Sequence, residues 1–298
     1  MVPPKDGAGI TVVLPTFNRS VALRANLDTV LAMDAVDEIV IVDDGSTDDT
    51  PAVLRALRDP RLRIVQQTVN RGLPAARNRG AAEARGDWVI FAEDDCRFPR
   101  DYAQVLLAEA ERHGADVMGA PWIHARPGEV EAAIAEARAA CVPRTALEGP
   151  GAFPAGTIET PFMPALALMR RSIFYEVRFD EHYRGNAYRE ESDFFVRAAR
   201  AGYRVMLTPA TCSWQVSQYA GGARRPRLRY EYWAVRNNWL FLRRHGRWLA
   251  QHGHVADPIS AQVHFTQRRL RNLTRGYLTA SARRRRERAA DMAGPSGL

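Results

Sequence analysis

Lysine is nearly missing from this 298-residue chain: Lys5 is the only one, and arginine supplies the rest of the 42 basic residues. Cysteine is scarce too. Cys96, Cys141 and Cys212 are far apart, odd in number and without metal-ligand spacing, which excludes a disulfide framework and a thiolate metal site. No apolar stretch approaches the ~20 residues that span a bilayer. The segment Met1 to Gly9 lacks the basic-then-apolar pattern of a signal peptide, so the expected location is the cytoplasm. No internal repeat is present.

What remains is an ordinary globular composition, 46% hydrophobic and 26% charged, with charge laid down unevenly. Residues 221–298 hold 17 Arg against Glu231, Asp257, Glu287 and Asp291, a net +13, although the whole chain is only +8. The first 220 residues are therefore acidic, at −5.

The first half alternates short apolar runs with helical patterns. Ile10–Leu14 and Glu38–Val42 are rich in β-branched residues and read as buried strands. Leu62–Val65, Asp87–Phe91 and Asp116–Met118 follow as further strands. Between them lie helices: one capped by Ser20, one started by Ser46-Thr47-Asp48, one over Leu73–Arg85 and one over Pro99–His113. Such alternation predicts an α/β fold with a mostly parallel central sheet flanked by helices. Ligands of these sheets bind beyond the carboxyl ends of the strands, where Thr16, Asn18, Asp43, Asp44 and Glu93 to Asp95 fall.

The second half is less regular. Residues 149–164 read as a Pro/Gly-rich loop, Ser192–Ala201 as a helix and Tyr203–Leu207 as a strand. Residues 227–245 and 258–288 predict two helices, the second ending in RRRRER.

Four constellations carry chemistry. Asp43-Asp44-Gly45-Ser46 offers carboxylates to a nucleobase or ribose; it also reads as a turn followed by a cap. Glu93-Asp94-Asp95 clusters carboxylates that repel unless a cation joins them, and oxygen ligands suit a hard divalent ion. Asn70-Arg71-Gly72 with Ala76-Arg77-Asn78 makes a phosphate-facing helix start, or simply an Arg-rich solvated helix. Arg189-Glu190-Glu191-Ser192-Asp193, just before a helix, reads as a general base with a pKa-raising neighbour, or as N-terminal acidic capping.

The four in this order, with the opening VVLPTFNR, Phe179-Asp180-Glu181 and AGYRV at 201–205, resemble glycosyltransferase family two. The resemblance runs from about Ile10 to about Leu207. It implies a GT-A fold with residues 1–225 as the transferase domain and 226–298 as a basic helical extension. Within the domain, about 10–120 would bind the nucleotide and about 121–225 the acceptor. It also implies an inverting, hexosyltransferase-type enzyme that uses one Mg2+ or Mn2+. The sugar would pass from a UDP- or dTDP-sugar to a saccharide, lipid-linked or small-molecule acceptor, in glycan or natural-product biosynthesis. Pro15, Thr16, Asn18, Asp44, Asn70, Gly72, Arg77, Asn78, Glu93 and Asp94 would line the nucleotide site, with Asp95 on the metal. Glu191 would be the catalytic base. Glu190, Trp214 and Arg224 would meet the acceptor or the diphosphate.

The chain departs from the family pattern at three places. Glu93 and Glu191 stand where Asp is commoner, and Gln215 stands where related sequences often carry a histidine near the metal.

The basic end has readings of its own. Gly221 to Arg225 could close Arg224 over the diphosphate. Trp214, Tyr230, Tyr232, Trp233 and Trp239 suit sugar stacking or ordinary packing. Arg283–Arg286 suits anionic headgroups at the inner membrane face, as a peripheral contact, or a solvated tail. His245, His252, His254 and His264 read as surface or packing residues. Two competing functions follow: a degenerate protein that binds nucleotide sugar without turnover, and a basic nucleic-acid binder. The acidic strand-end carboxylates argue against nucleic acid as a partner.

Overall fold

A computed structural model of the protein describes residues 9–125, 128–140, 153–216, 227–271 and 273. The elements in chain order begin β1 (Ile10–Thr16), α1 (Ser20–Leu31), β2 (Glu38–Asp43), α2 (Thr50–Ala56), β3 (Leu62–Gln66), α3 (Leu73–Glu83) and β4 (Trp88–Phe91). Then come β5 (Cys96–Arg97), α4 (Tyr102–His113), β6 (Val117–Gly119), β7 (Trp122–Ala125), α5 (Val130–Ala140), β8 (Ile158–Glu159) and β9 (Leu168–Arg170). A 3-10 turn at Arg171–Tyr175 precedes α6 (Glu190–Arg200), β10 (Val205–Leu207), β11 (Ser213–Val216) and α7 (Arg227–Gln251). A last helix, α8, covers 258–271.

Eight strands form one sheet in the order β3-β2-β1-β4-β9-β6-β10-β8. β3, β2, β1 and β4 run parallel, as do β6 and β10. β9 lies antiparallel between β4 and β6, and β8 antiparallel on β10. The sheet is thus mostly parallel, as expected, with two reversed strands that the alternation of apolar runs did not disclose. One of them, β8, falls inside 149–164, which reads as loop from its Pro and Gly content. A second sheet, β5-β11-β7, stands beside the first.

The strands are buried on both faces, which is why their sequences are continuous apolar runs. Ile10, Val12, Leu14, Ile39, Ile41 and Ile90 pack under α1, α2 and α4. The intervening Val13, Val40, Val42, Val89 and Phe91 pack under α3 and α6. Each such side chain contributes ~1.5–3 kcal/mol by leaving water. α3 sits so close to β1 that a Cβ at Gly80 would lie 2.1 Å from Val13 Cγ1, which explains a glycine in mid-helix.

Helix starts differ from expectation at two places. Ser20 is the first residue of α1 and does not cap it; Asp48 Oδ2, from the next turn, accepts the Ser20 N–H at 3.1 Å. α6 begins at Glu190, so Glu190 and Glu191 lie in its first turn and not before it. The predicted helix over 258–288 is described only to residue 271, and its RRRRER end lies outside the described residues.

α7 is not a loose appendage. Leu240, Phe241, Leu242 and Leu249 share a buried cluster with Phe162, Tyr183 and Val196.

Candidate functional site

The parallel strands β2, β1 and β4 end side by side, and each end delivers polar groups to the same edge of the sheet. From β1 come Pro15 and Thr16; the Thr16 hydroxyl donates to Asp94 Oδ2 at 2.8 Å. Asn18 follows in a left-handed conformation, φ +51°, and its Oδ1 accepts the N–H groups of Thr47 and Asp48. Those bonds pin the turn after β2 to the end of β1.

Asp44 lies at the end of β2, almost fully buried. Its two oxygens accept from Gln67 Nε2, Asn70 Nδ2 and the backbone N–H groups of Arg71 and Gly72, all at 2.8–2.9 Å. Burial raises its pKa, the Arg71 and Gly72 amides pull it back, and the Asp43 charge adds to the rise. Gly45, at φ +75°, has no room for a Cβ, which would lie 2.7 Å from the Val69 carbonyl carbon. Asp44 thus clamps the loop that carries Asn70 and Gly72 against the strand end.

Beyond β4 the carboxylates are held by two arginines. Arg19, which had no assigned role in the sequence, bonds Asp95 Oδ2 at 2.6 Å and Asp94 Oδ1 at 3.3 Å. Arg77, fully buried on α3, bonds Glu93 Oε1 at 2.8 Å and Glu190 Oε1. Its guanidinium also lies over the Phe91 and Phe179 rings, 5.9 and 5.4 Å from their centroids. The second oxygen of Glu190 is buried without a hydrogen-bond partner. Glu191 Oε2 accepts the Ala165 N–H at 2.9 Å.

Four carboxylates, Glu93, Asp94, Asp95 and Glu190, thus pair with Arg19 and Arg77, and the charge of Glu191 also acts on Glu93. Glu93 is pushed up to about 7. Burial is the largest cause; Arg77 opposes it, and the charges of Asp95, Glu191 and Asp94 add to the rise. The Glu93 side chain keeps 31% of its surface exposed.

Ligand atoms of Glu93, Asp95 and Cys96 lie within 4.8 Å of one another. Burial, then the charges of Glu93 and Asp95, drive the Cys96 thiol well up, so it stays protonated and is a poor ligand. A site of carboxylate oxygens with excess negative charge fits a hard divalent cation such as Mg2+ or Mn2+. The residues present fit such an ion. Gln215, buried on β11, pairs in register with Cys96 and so stands one strand from Asp95.

The remaining expected residues are placed elsewhere. Asn78 turns its amide onto the backbone of Phe179, donating to its carbonyl at 2.8 Å and accepting its N–H at 2.9 Å. Trp214 lies on β11 against the cluster of Ile123, Phe153 and Cys212. Arg224 lies outside the described residues. Behind α6, Asp193 accepts from Tyr183 Oη and Arg197 and contacts His245 Nε2 at 2.8 Å. His245 was read as a packing or surface residue; it is buried and tied to the helix that carries Glu191. Neither Arg19 nor this cluster has a local sequence signal, since each pair is 52 or more positions apart except Tyr183 and Arg197.

Comparison with known proteins agrees with this geometry. The sequence model of glycosyl transferase family 2 matches residues 11–178. The succinoglycan biosynthesis protein ExoO of Rhizobium meliloti is 34% identical over 36% of this chain and 31% of its own. The GalNAc(5)-diNAcBac-PP-undecaprenol beta-1,3-glucosyltransferase of Campylobacter jejuni is 32% identical over 37% of each chain. The chain thus matches about a third of the length of these curated relatives. Among solved structures, the mannosyltransferase PcManGT of Pyrobaculum calidifontis, in complex with GDP-Man and Mn2+, has a TM-score of 0.56 at 21% identity, over 80% of this chain and 64% of that one. TarS 1–349 of S. aureus, in complex with UDP-GlcNAc, also has a TM-score of 0.56, at 17% identity over 82% and 74%. The fold is GT-A.

Proposed function

The chain belongs to glycosyl transferase family 2, and from that premise we propose that it is an inverting glycosyltransferase with Glu191 as its general base. The observation that carries this reading is the position of Glu191. Its carboxylate is oriented by the Ala165 N–H in the first turn of α6, close enough to Glu93 to raise that group's pKa. This supports a base facing the strand ends proposed to receive the nucleotide.

In this mechanism Thr16, Asn18, Asp44, Asn70 and Gly72 bound the nucleoside pocket, and Asp44 meets the base after giving up part of its grip on the 67–72 loop. Glu93 faces the ribose. Asp95, with Glu93 beside it, would hold the divalent ion, which when bound supplies positive charge to the departing diphosphate. Arg224, which lies outside the described residues, would by the family resemblance add a guanidinium to the diphosphate. Glu191 takes the proton of the acceptor hydroxyl as its oxygen attacks the anomeric carbon from the face opposite the diphosphate. The bond from that carbon to the phosphate oxygen breaks, its electrons leave with the nucleoside diphosphate, and one displacement inverts the centre. A UDP- or dTDP-sugar is the favoured donor. The TarS complex with UDP-GlcNAc supports a UDP-sugar, and the PcManGT complex with GDP-Man keeps GDP in the comparison. A lipid-linked acceptor is consistent with the name of the Campylobacter relative.

The test is thermal melting with UDP, dTDP, GDP and CDP, each with and without Mg2+ or Mn2+. A ligand at 100 times its Kd stabilises the folded state by ~2.7 kcal/mol, a rise of several degrees for a chain of this size. We expect a rise with one nucleotide that grows with metal and is lost in Asp95→Ala. No rise with any combination would sink the nucleotide-sugar reading.

A further inference from the structure

The C-terminal helices carry a surface that the transferase reading leaves unused. α8 packs antiparallel on α7. Pro258 meets Gly246 so closely that a Cβ there would lie 2.6 Å from the proline ring. Further along, Asn238 Nδ2 donates to Gln262 Oε1 at 2.7 Å, and Arg269 pairs with Glu231 at 3.4 Å. The hairpin is anchored below by Ala234, Phe241 and His245 of α7, all buried, and by Phe265 of α8, which lies 5.3 Å from the Tyr188 ring.

At ~100° per residue, the arc of α7 opposite its buried side carries Leu228, Tyr232 and Trp239. Ile259 and Val263 sit about 100° around α8 from the residues that face α7, on the same outward side. These five side chains are 46–73% exposed. Next to them along α7 run the exposed Arg229, Arg243 and Arg247, while Arg236 between them donates to the His182 carbonyl. The only carboxylates between 227 and 271 are turned to other uses: Glu231 is buried against Arg269, and Asp257 Oδ2 accepts the Ser260 N–H. Among the described residues the face is apolar in the middle and arginine-edged, with the exposed Asp257 at the start of α8 outside it. The sequence beyond it adds Arg275 and Arg283–Arg286.

We propose that this hairpin face docks the protein on an anionic lipid bilayer. Apolar side chains entering the headgroup boundary beside arginines that meet anionic lipid are the composition of an interfacial helix. Tyr232 and Trp239 have the aromatic body and polar tip that suit that depth. No helix among the described residues is long and apolar enough to cross a membrane. Exposed leucine, isoleucine and valine do not suit a nucleic acid, whose contacts are to phosphates and base edges. The face is also tied to the active site. Arg189 Nε donates to Asn238 Oδ1 at 3.0 Å, which fixes the hairpin two residues from Glu191. The docking itself rests on the hairpin alone and does not require the transferase reading.

Vesicle flotation of the full chain tests this, with phosphatidylglycerol–phosphatidylcholine vesicles against pure phosphatidylcholine. We expect at least ~10-fold tighter binding to the anionic vesicles, and at least ~10-fold loss in the Trp239→Ser, Ile259→Ser, Val263→Ser triple variant. Arg243→Gln with Arg247→Gln weakens binding and flattens its salt dependence. A thermal melt of each variant checks the fold. For a variant that fails to fold, quenching by brominated lipid replaces it: the wild type is quenched more than Trp239→Phe. Absence of binding to anionic vesicles, equal binding by the triple variant, or equal quenching overturns the proposal. So does size-exclusion chromatography showing a dimer that the triple variant dissociates, because the face then belongs to a second copy. Retention on heparin without vesicle binding assigns the arginines to a polyanion instead.

Discussion

The two walls of the crevice are built by different means. On the β1–β2 wall, side chains reach backbone amides of the next connection: Asn18 holds 47 and 48, and Asp44 holds 67 to 72. On the α6 wall, Glu190 is held by Arg77, the 179 backbone by Asn78, and Asp193 by His245, partners 52 to 113 positions away. The wall proposed to bind the nucleotide is thus a local product of successive strand–helix units. The wall proposed to carry the base exists only once the whole chain has folded around α3 and α7. The nucleotide wall should tolerate damage elsewhere in the fold, and the base wall should not.

The largest effect is expected at the base itself. Glu191→Gln keeps the Ala165 hydrogen bond but cannot take a proton, so turnover should fall ~10^2–10^4-fold while nucleotide binding persists. Full activity in a steady-state assay would remove Glu191 from the mechanism, and loss of nucleotide binding as well would show that the walls are not independent.

Next is Arg77→Met. It strips two carboxylates of their buried partner, and removing one side of such a pair costs ~3–5 kcal/mol. Arg19→Met is the matched control. Arg19 is nearly but not fully buried, and Asp94 keeps the Thr16 hydroxyl as a second partner, so a smaller loss of ~1–3 kcal/mol is expected. Urea midpoints measure both, and equal losses would erase the contrast between the walls.

Asp44→Asn replaces an acceptor of four hydrogen bonds by an amide whose Nδ2 faces donors. A loss of ~1–3 kcal/mol and weaker nucleotide binding should follow, with Glu191-dependent chemistry per bound donor unchanged. Single-turnover kinetics at saturating donor would expose any effect on the chemical step.

The smallest effect is a pH dependence at the base of α6. Although burial opposes it, the His182 N–H and the Arg244 guanidinium hold the Asp180 carboxyl at about 2, below its ordinary 3.8. A depressed folded pKa contributes stability that is present above about 4 and is lost as pH falls toward 2. Melting curves at pH 5 and pH 3 should therefore diverge less in Asp180→Asn than in the wild type.

The strand-end position of much of the proposed nucleotide wall was legible in advance. Thr16, Asn18, Asp44 and Glu93 to Asp95 were placed at strand ends by apolar runs that stop just before them. Periodicity marks where a strand ends, and in a parallel sheet the strand end is the crevice. Arg19 was quoted within VVLPTFNR yet had no role, because its partners lie 75 and 76 positions on. Cys96 showed no metal-ligand spacing with the other cysteines; its nearness to Glu93 and Asp95 is local, and only the β5–β11 pairing brings Gln215 opposite it. Glu190 read as an acceptor contact, whereas the fold buries it against Arg77. Ser20 was a plausible cap until Asp48 supplied the acceptor from a neighbouring turn.

Local patterning by itself determined the parallel core, the strand-end carboxylates and the uneven charge. These follow from side-chain periodicity and composition, which need no partner. The tertiary structure decided which carboxylate is neutralised by which arginine, which strand is reversed, and which faces of α7 and α8 stay exposed. Those outcomes depend on groups brought together from distant positions, where burial strengthens each ion pair and makes each unpaired charge costly.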